Sequence, residues 1–304
     1  MSGGPILVTG AHRSGTTWVG KMLALAPDVA YVHEPFNPGT QPGISSAPFD
    51  HNFTVVTAEN EARYLPGLKR TLALDYALGA EFRHMRTPRD LARSVRDSWS
   101  FELSRRARKR PLVKDPIALL SAEWLAERFG MDVVVLVRHP AGFAASLNRL
   151  GWKHSFATFV DGDRVPEILW PYEDEIRAQA KEPGDVLEQA ALLWRILYGT
   201  AAGYRERHPD WIFLRHEDAG ADPTGTFDRL YERLGLELTP AARERIVRAS
   251  GVENPVEGRS PHAVDLDSAA AVGRWRTQLG AEEVELLRER TRDVWPSFYS
   301  DEDW

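Results

Sequence analysis

The chain contains no cysteine. That excludes disulfides, thiolate metal sites and thiol nucleophiles, and nothing in it depends on an oxidising compartment. No window holds the ~20 apolar residues that a transmembrane helix needs. No basic segment followed by a signal-type apolar stretch opens the sequence, which fits a cytoplasmic location. A positive excess is missing as well. The net charge of −6 over 304 residues argues against general binding to nucleic acid or to an anionic membrane, though not against a local basic pocket. No repeat, low-complexity tract or composition shift marks a linker, so one domain over residues 1–304 is expected.

One further absence is local and more telling. Ile6, Leu7 and Val8 form a short apolar run, Gly10 and Gly15 bracket a polar loop, and an amphipathic helix begins at Thr16 with Val19, Met22, Leu23 and Ala26 on one face. Strand, glycine loop and helix in that order make an anion cradle of inward N–H groups and a positive helix end. The Gly10-to-Gly15 spacing matches a Walker A loop, but the lysine that should follow the second glycine is lacking. Thr16 and Thr17 stand there, and the cation has moved inside the loop to Arg13, next to Ser14. The loop suits a phosphate reached from another side, with no metal expected.

What is present downstream repeats one theme. A strand over 29–32 runs into His33 and Glu34, another over 111–114 ends in Lys114 and Asp115 before Pro116, and the apolar strand 132–137 ends in Arg138, His139 and Pro140. A strand that is apolar on both faces belongs in the middle of a parallel sheet. Charged strand ends converging on one crevice are the ligand edge of an open α/β sheet. The expected fold is therefore a three-layer α/β sandwich, a central parallel sheet flanked by helices, of the P-loop NTPase-like kind. Because successive strand residues alternate in direction, His33 and Glu34 are expected to point apart.

Residues 37–54, rich in Gly, Pro and Ser, form a loop placed to cover a substrate. Residues 59–109 are helical with a break at Thr87-Pro88, and a helix spans 117–129. Arg86, Arg89, Arg93, Arg96, Arg105, Arg106, Arg108, Lys109 and Arg110 are either a solvated face and basic turn, or include one or two arginines facing an anionic ligand. Residues 151–185, with Trp152, Phe156, Phe159, Trp170 and Tyr172, are a satellite core or a lid over an acceptor. A core-facing helix with Trp194 and Tyr198, a strand at 211–215, two more helices and a polar loop over 251–280 follow. That loop includes Gly258, Arg259 and Ser260. A helix over 281–294 closes the chain.

The motifs together resemble those of sulfotransferases that use 3′-phosphoadenosine-5′-phosphosulfate (PAPS). Arg13-Ser14-Gly15-Thr16-Thr17-Trp18 is similar to their 5′-phosphosulfate loop. Arg138-His139-Pro140, with Ser146 eight residues after the arginine, is similar to their 3′-phosphate motif. Gly273-Arg274-Trp275-Arg276 looks like the late segment that closes over the nucleotide, and Leu214 to Asp218 like a further family strand end. The resemblance spans residue 5 to about residue 280.

It implies a single sulfotransferase domain that binds PAPS and releases adenosine 3′,5′-bisphosphate (PAP). Trp18 or Trp275 would offer the adenine an aromatic surface, and Arg138 and Ser146 would take the 3′-phosphate. The cytosolic branch carries Lys-Thr-His where this chain has Lys114-Asp115-Pro116, so its histidine base is missing. The bacterial or carbohydrate-type branch implies a carboxylate base, for which Glu34 is the candidate. His33 is its rival and Asp115 a third. Arg13 and Lys114 would stabilise charge on the transferring group. The acceptor would be a hydroxyl of a sugar, lipid or natural product. A P-loop small-molecule kinase using ATP and Mg²⁺ is the alternative.

Overall fold

The computed structural model describes residues 3–162, 164–256 and 264–304. Its strands are β1 (Ile6–Gly10), β2 (Val29–His33), β3 (Arg110–Lys114), β4 (Asp132–Val137) and β5 (Ile212–Arg215). All pair in parallel, in the order β2-β3-β1-β4-β5. The helices are α1 (Thr16–Leu23), α2 (Glu61–Leu72), α3 (Leu78–Phe82), α4 (Pro88–Arg106), α5 (Ala122–Phe129), α6 (Pro140–Leu150) and α7 (Glu173–Lys181). They continue with α8 (Val186–Arg207), α9 (His216–Ala221), α10 (Pro223–Arg233), α11 (Pro240–Ser250), α12 (Ser268–Val272), α13 (Trp275–Gln278) and α14 (Ala281–Arg290).

Strand alternation sorts the core into two layers. Ile6, Val8, Val134 and Leu136 pack with apolar residues of α1, α10 and α11. Leu7, Val133, Val135 and Val137 face the other way, into a larger cluster with residues of α5, α6, α8 and α14. A parallel sheet covered on both faces needs this continuous apolar character in its central strands. The chain leaves β1 toward β2 on one side, then crosses from β3 past β1 to β4 on the other. That reversal leaves a crevice outside the carboxyl ends of β1, β3 and β4.

Most expected elements are present, and the exceptions have local causes. The stretch after Pro116 winds first as a 3₁₀ turn over Pro116–Ser121 before α5, because Asp115 caps it by accepting from Ile117 N at 3.1 Å. The expected loop over 251–280 contains α12 and α13, the former capped by Asp267, which accepts from Ala270 N at 3.0 Å. Gly258, Arg259 and Ser260 lie outside the described residues. The break at Thr87-Pro88 is a capping box: Asp90 N donates to Thr87 Oγ1 at 3.2 Å and Thr87 N to Asp90 Oδ2 at 3.0 Å.

None of the arginines of the basic stretch lines the crevice. Arg110 is buried at the opposite edge, paired with Asp132 and donating to Leu234 O at 2.6 Å. In the 151–185 segment, Phe156, Phe159, Leu169, Tyr172 and Ile176 belong to the main core, and among its described residues only Trp152, Lys153 and His154 reach the crevice. Among the described residues, no helix is long and apolar enough to cross a membrane.

Candidate active site

The crevice is a cleft of ≈ 790 Å³, within the range of small-molecule and cofactor sites. Its floor is the glycine loop. Gly10 and Gly15 have φ of 146° and 90°, and Arg13 between them is left-handed at 65°. Three of the five non-glycine residues with positive φ among the described residues, Arg13, Glu34 and Phe53, stand on the cleft wall. Such conformations are costly and persist where surrounding structure enforces them, commonly at functional sites.

The loop residues divide the work. Thr16, Thr17 and Trp18 line the cleft at the start of α1. Ser14 does not line it; its hydroxyl is buried and donates to Ala11 O at 2.5 Å, bracing the loop instead of offering a donor to a ligand. A methyl group on Gly15 would sit 2.7 Å from His216 Nδ1. Gly15→Ala therefore combines that clash with a left-handed backbone that alone costs about 1–2 kcal/mol. The expected result is a loss of unfolding free energy of at least that size in urea, and loss of any nucleotide-induced thermal shift.

Arg13 and Arg138 are cross-braced. Arg13 Nε donates to Ser146 Oγ at 3.2 Å, and Arg138 Nη1 donates to Arg13 O. Arg138 makes no ion pair among the described residues, and burial pushes its guanidinium below the usual value, a drop that the Glu217 charge offsets only in part. Behind both sites sits Tyr198 of α8, whose phenol oxygen accepts from Ala11 N at 3.4 Å and Arg138 N at 3.2 Å. One side chain thus ties the ends of β1 and β4 together. Trp194 Nε1 adds a bond to Arg138 O at 2.8 Å.

On the far side of the loop, Glu34 and His33 both line the cleft. The expected alternation fails because β2 ends at His33 and Glu34 turns to φ 45°, its N donating to Lys114 O at 2.9 Å. Glu34 Oε1 is paired with Lys114 Nζ, and Oε2 accepts from Asn37 Nδ2 at 2.9 Å. Burial pulls the Glu34 carboxyl upward, but the Lys114 charge and hydrogen bonds hold it below its usual value. Lys114 itself is fully buried, and burial lowers its pKa against the pull of Glu34. It does not line the cleft, and its ammonium meets the Glu34 carboxylate instead. Gly20 of α1 makes room for its stem, since a methyl there would meet Lys114 Cγ at 2.8 Å.

Asp115 is not a base candidate. It is completely buried below the cleft wall and accepts from Phe36 N at 2.7 Å, fastening the segment after Glu34 to β3. Burial pushes its carboxyl up to about 7.

The late segment splits. Arg274 lines the cleft. Trp275 does not; it is buried and stacked on His139, with ring centroids 4.9 Å apart and planes 5° apart. Arg276 covers the Trp275 ring at 4.2 Å and donates to Asp303 O at 2.7 Å, away from the cleft. Of the two tryptophans expected to face a base, Trp18 stands on the wall, braced edge-on by Phe227 at 5.4 Å.

Several wall residues were not anticipated. Arg149 lies one turn after Ser146 on the same face of α6, a spacing that the sequence displays openly. His216 opens α9 beneath Gly15. His12 packs against Phe53 and Trp152 at 5.7 and 6.2 Å between centroids, and burial lowers its pKa to about 3, so its ring is neutral. Asn37, Gln41 and Phe53, from the loop expected to cover a substrate, complete that side.

A parallel sheet with a glycine-bracketed loop at the end of its first strand, and Arg138 and Ser146 both bonded to Arg13 of that loop, defines a P-loop-like α/β protein. The chain belongs to the sulfotransferase family, whose model matches residues 5–240, and is a sulfotransferase enzyme. No curated protein matches it. Among solved structures it is similar to the sulfotransferase domain of the olefin synthase of Synechococcus PCC 7002. That match has 17% identity over 99% of this chain and 96% of the other, at a TM-score of 0.48. It is also similar to a mouse sulfotransferase, SULT7A1, complexed with PAP, with 13% identity, 99% and 86% coverage and a TM-score of 0.48. The sulfotransferase STF1 of Mycobacterium tuberculosis shares 19% identity over 97% and 78%, at 0.44.

Proposed function

We propose that the chain transfers the sulfuryl group of PAPS to a hydroxyl of a small-molecule, glycan or glycolipid acceptor, leaving a sulfate ester and PAP. The observation that carries this reading is the brace between Arg13 and Arg138, two guanidiniums lining one cleft, with Arg138 bonded to the Arg13 carbonyl and Ser146 to the Arg13 side chain. The Arg138 guanidinium is half-buried and makes no ion pair among the described residues, and the Glu217 charge offsets its burial only in part, so an arriving anion is favoured there. Arg138 also has the planar fork that suits phosphate oxygens.

PAPS supplies a sulfur already activated by its bond to a phosphate oxygen. That S–O bond breaks as the acceptor oxygen bonds to sulfur, the electron pair leaves on the phosphate, and the acceptor proton goes to Glu34. The loop N–H groups, the α1 N-terminus, Thr16, Thr17 and Arg13 hold the 5′ side, and Arg138, Ser146, Arg149 and Arg274 hold the 3′-phosphate. Trp18 offers the adenine a wall. Glu34 is oriented by Lys114 and Asn37, which use two of the roughly four lone-pair sites of a carboxylate and leave others for an acceptor hydroxyl. As in phosphoryl transfer, positioning and electrostatics carry most of the effect.

A thermal-shift comparison tests the donor. PAP at 100 times its dissociation constant is expected to add about 2.7 kcal/mol of apparent stability, with no comparable shift from ATP–Mg²⁺. A shift with ATP–Mg²⁺ alone would replace this reading with the kinase alternative.

A further inference from the structure

Large apolar side chains left in solvent are concentrated on one face. Phe82 is 68% and Trp99 63% exposed, and Val95, Leu103, Leu91 and Leu78 are exposed beside them. Leu91, Val95, Trp99 and Leu103 follow one another at i, i+4 spacing along α4 and so form one ridge. The opposite side of the helix is the one that packs: Ser94 is buried, and Phe101 meets Tyr76 with centroids 5.5 Å apart. The short α3, which carries Phe82 and Leu78, is fastened to α4 through Glu81, a buried carboxylate that accepts from Ser94 Oγ at 3.4 Å.

The segment that carries these side chains is basic. Residues 82–109 hold nine arginines and lysines against three acidic residues, a local +6 in a chain of net −6. Arg83, Arg86 and Arg89 are exposed and make no ion pair among the described residues. Aromatic and aliphatic residues set in a field of arginine are the chemistry of an interfacial amphipathic surface. A second copy of the chain would bring +6 against +6, which opposes self-association through this face.

We propose that the α3–α4 face docks the protein on an anionic lipid bilayer, with Phe82, Trp99 and the α4 ridge in the headgroup region and the arginines on lipid phosphates. The negative overall charge conceals this patch and favours one orientation, since the rest of the chain is acidic. The face is one layer from the cleft. Gly39, Gln41 and Ile44 line the cleft, and between them Gly43 N donates to Glu81 at 2.9 Å, while Tyr76 Oη donates to Gln41 at 3.5 Å. Docking therefore brings the Glu34 side of the cleft to the bilayer. This clause rests on the proposed sulfotransfer: the acceptor is then a hydroxyl carried by a membrane lipid.

Co-sedimentation of the full chain with vesicles tests the docking. Binding to phosphatidylcholine mixed with phosphatidylglycerol is expected to be at least tenfold tighter than to phosphatidylcholine alone, since each basic side chain near an anionic surface contributes about fivefold. Phe82→Ser with Trp99→Ser should weaken binding at least tenfold while the PAP-induced thermal shift persists. Arg83→Glu with Arg89→Glu, at exposed positions, carries the same test if the apolar variant does not fold. Equal binding to both vesicle types, binding to neither, or retention by both variants overturns the proposal. So does a wild-type dimer that the Ser substitutions dissociate, which would assign the face to a second copy. Vesicle binding without a PAP shift would sink the sulfotransfer reading and leave the docking intact.

Discussion

Glu34→Gln is expected to lower kcat by about 10²–10⁴, the range for loss of a positioned general base, with PAP affinity within about threefold of wild type. The substitution keeps the shape of the side chain and an oxygen for Lys114 or Asn37, so the nucleotide side of the cleft is untouched. It removes the charge opposite Lys114, whose ammonium has no exposure. Breaking a buried pair outright costs about 3–5 kcal/mol; glutamine retains an acceptor, so the loss in urea denaturation is expected below that range. His33→Gln is the control. His33 shares the wall and lies with Nδ1 3.4 Å from Tyr31 Oη, and its replacement is expected to cost less than tenfold.

The pH profile separates the two. The Glu34 carboxyl is held below its ordinary value, so its base form persists through neutrality and kcat falls only as pH drops through that lowered pKa. The stability it contributes follows the same sign, present above the unfolded pKa and lost as pH falls through the folded one. An acid limb near the ordinary histidine value, abolished by His33→Gln, would move the base to His33. Lys114→Met adds a second check. If Lys114 acts only through Glu34, the double variant is no slower than the slower single variant, because residues that act as a unit are not additive.

Much of this site was legible because strand ends in a parallel sheet must converge. Apolar runs ending in Glu34, Lys114 and Arg138 sufficed to bring three strand ends to one cleft, with Glu34 and Arg138 on its wall and Lys114 behind Glu34. Where the reading failed, tertiary contact outweighed local pattern. Alternation separated His33 from Glu34, but it applies only inside a strand, and Glu34 is one residue past its end in a left-handed turn. The Gly273-to-Arg276 segment was read as a unit over the nucleotide, yet Trp275 found a flat partner in His139 and took Arg276 with it, which left Arg274 alone on the wall. Lys114 looked like a cation for the transferring group because nothing in the sequence shows that it is sealed beneath α1 at Gly20. Tyr198 was read as core, as its helix position demands, and it is core. What its position hid is a hydroxyl that reaches two strand ends at once.

Arg138→Met is expected to weaken PAP binding by about 2–5 kcal/mol, the usual cost of truncating one partner of a buried charge pair, or about 30-fold to several thousand-fold. Two contributions combine. The fork that would bind the 3′-phosphate is lost, and so is the bond to Arg13 O that holds the loop in its left-handed turn. Arg138→Lys restores the charge without the planar fork and should recover only part of the loss. Arg149→Ala removes a charge from the exposed end of the same helix face and should cost no more than about tenfold, because exposed charges act through high dielectric. The free protein should respond in the opposite sense. A half-buried guanidinium without an ion pair among the described residues is a liability until the anion binds, so methionine, of similar length and without charge, is expected to leave unfolding in urea unchanged or raise it. Weaker PAP binding in isothermal titration with undiminished stability would mark Arg138 as a binding residue. A variant that loses more than about 2 kcal/mol of stability while still binding PAP normally would show that the brace to Arg13, and not the phosphate, is what Arg138 serves.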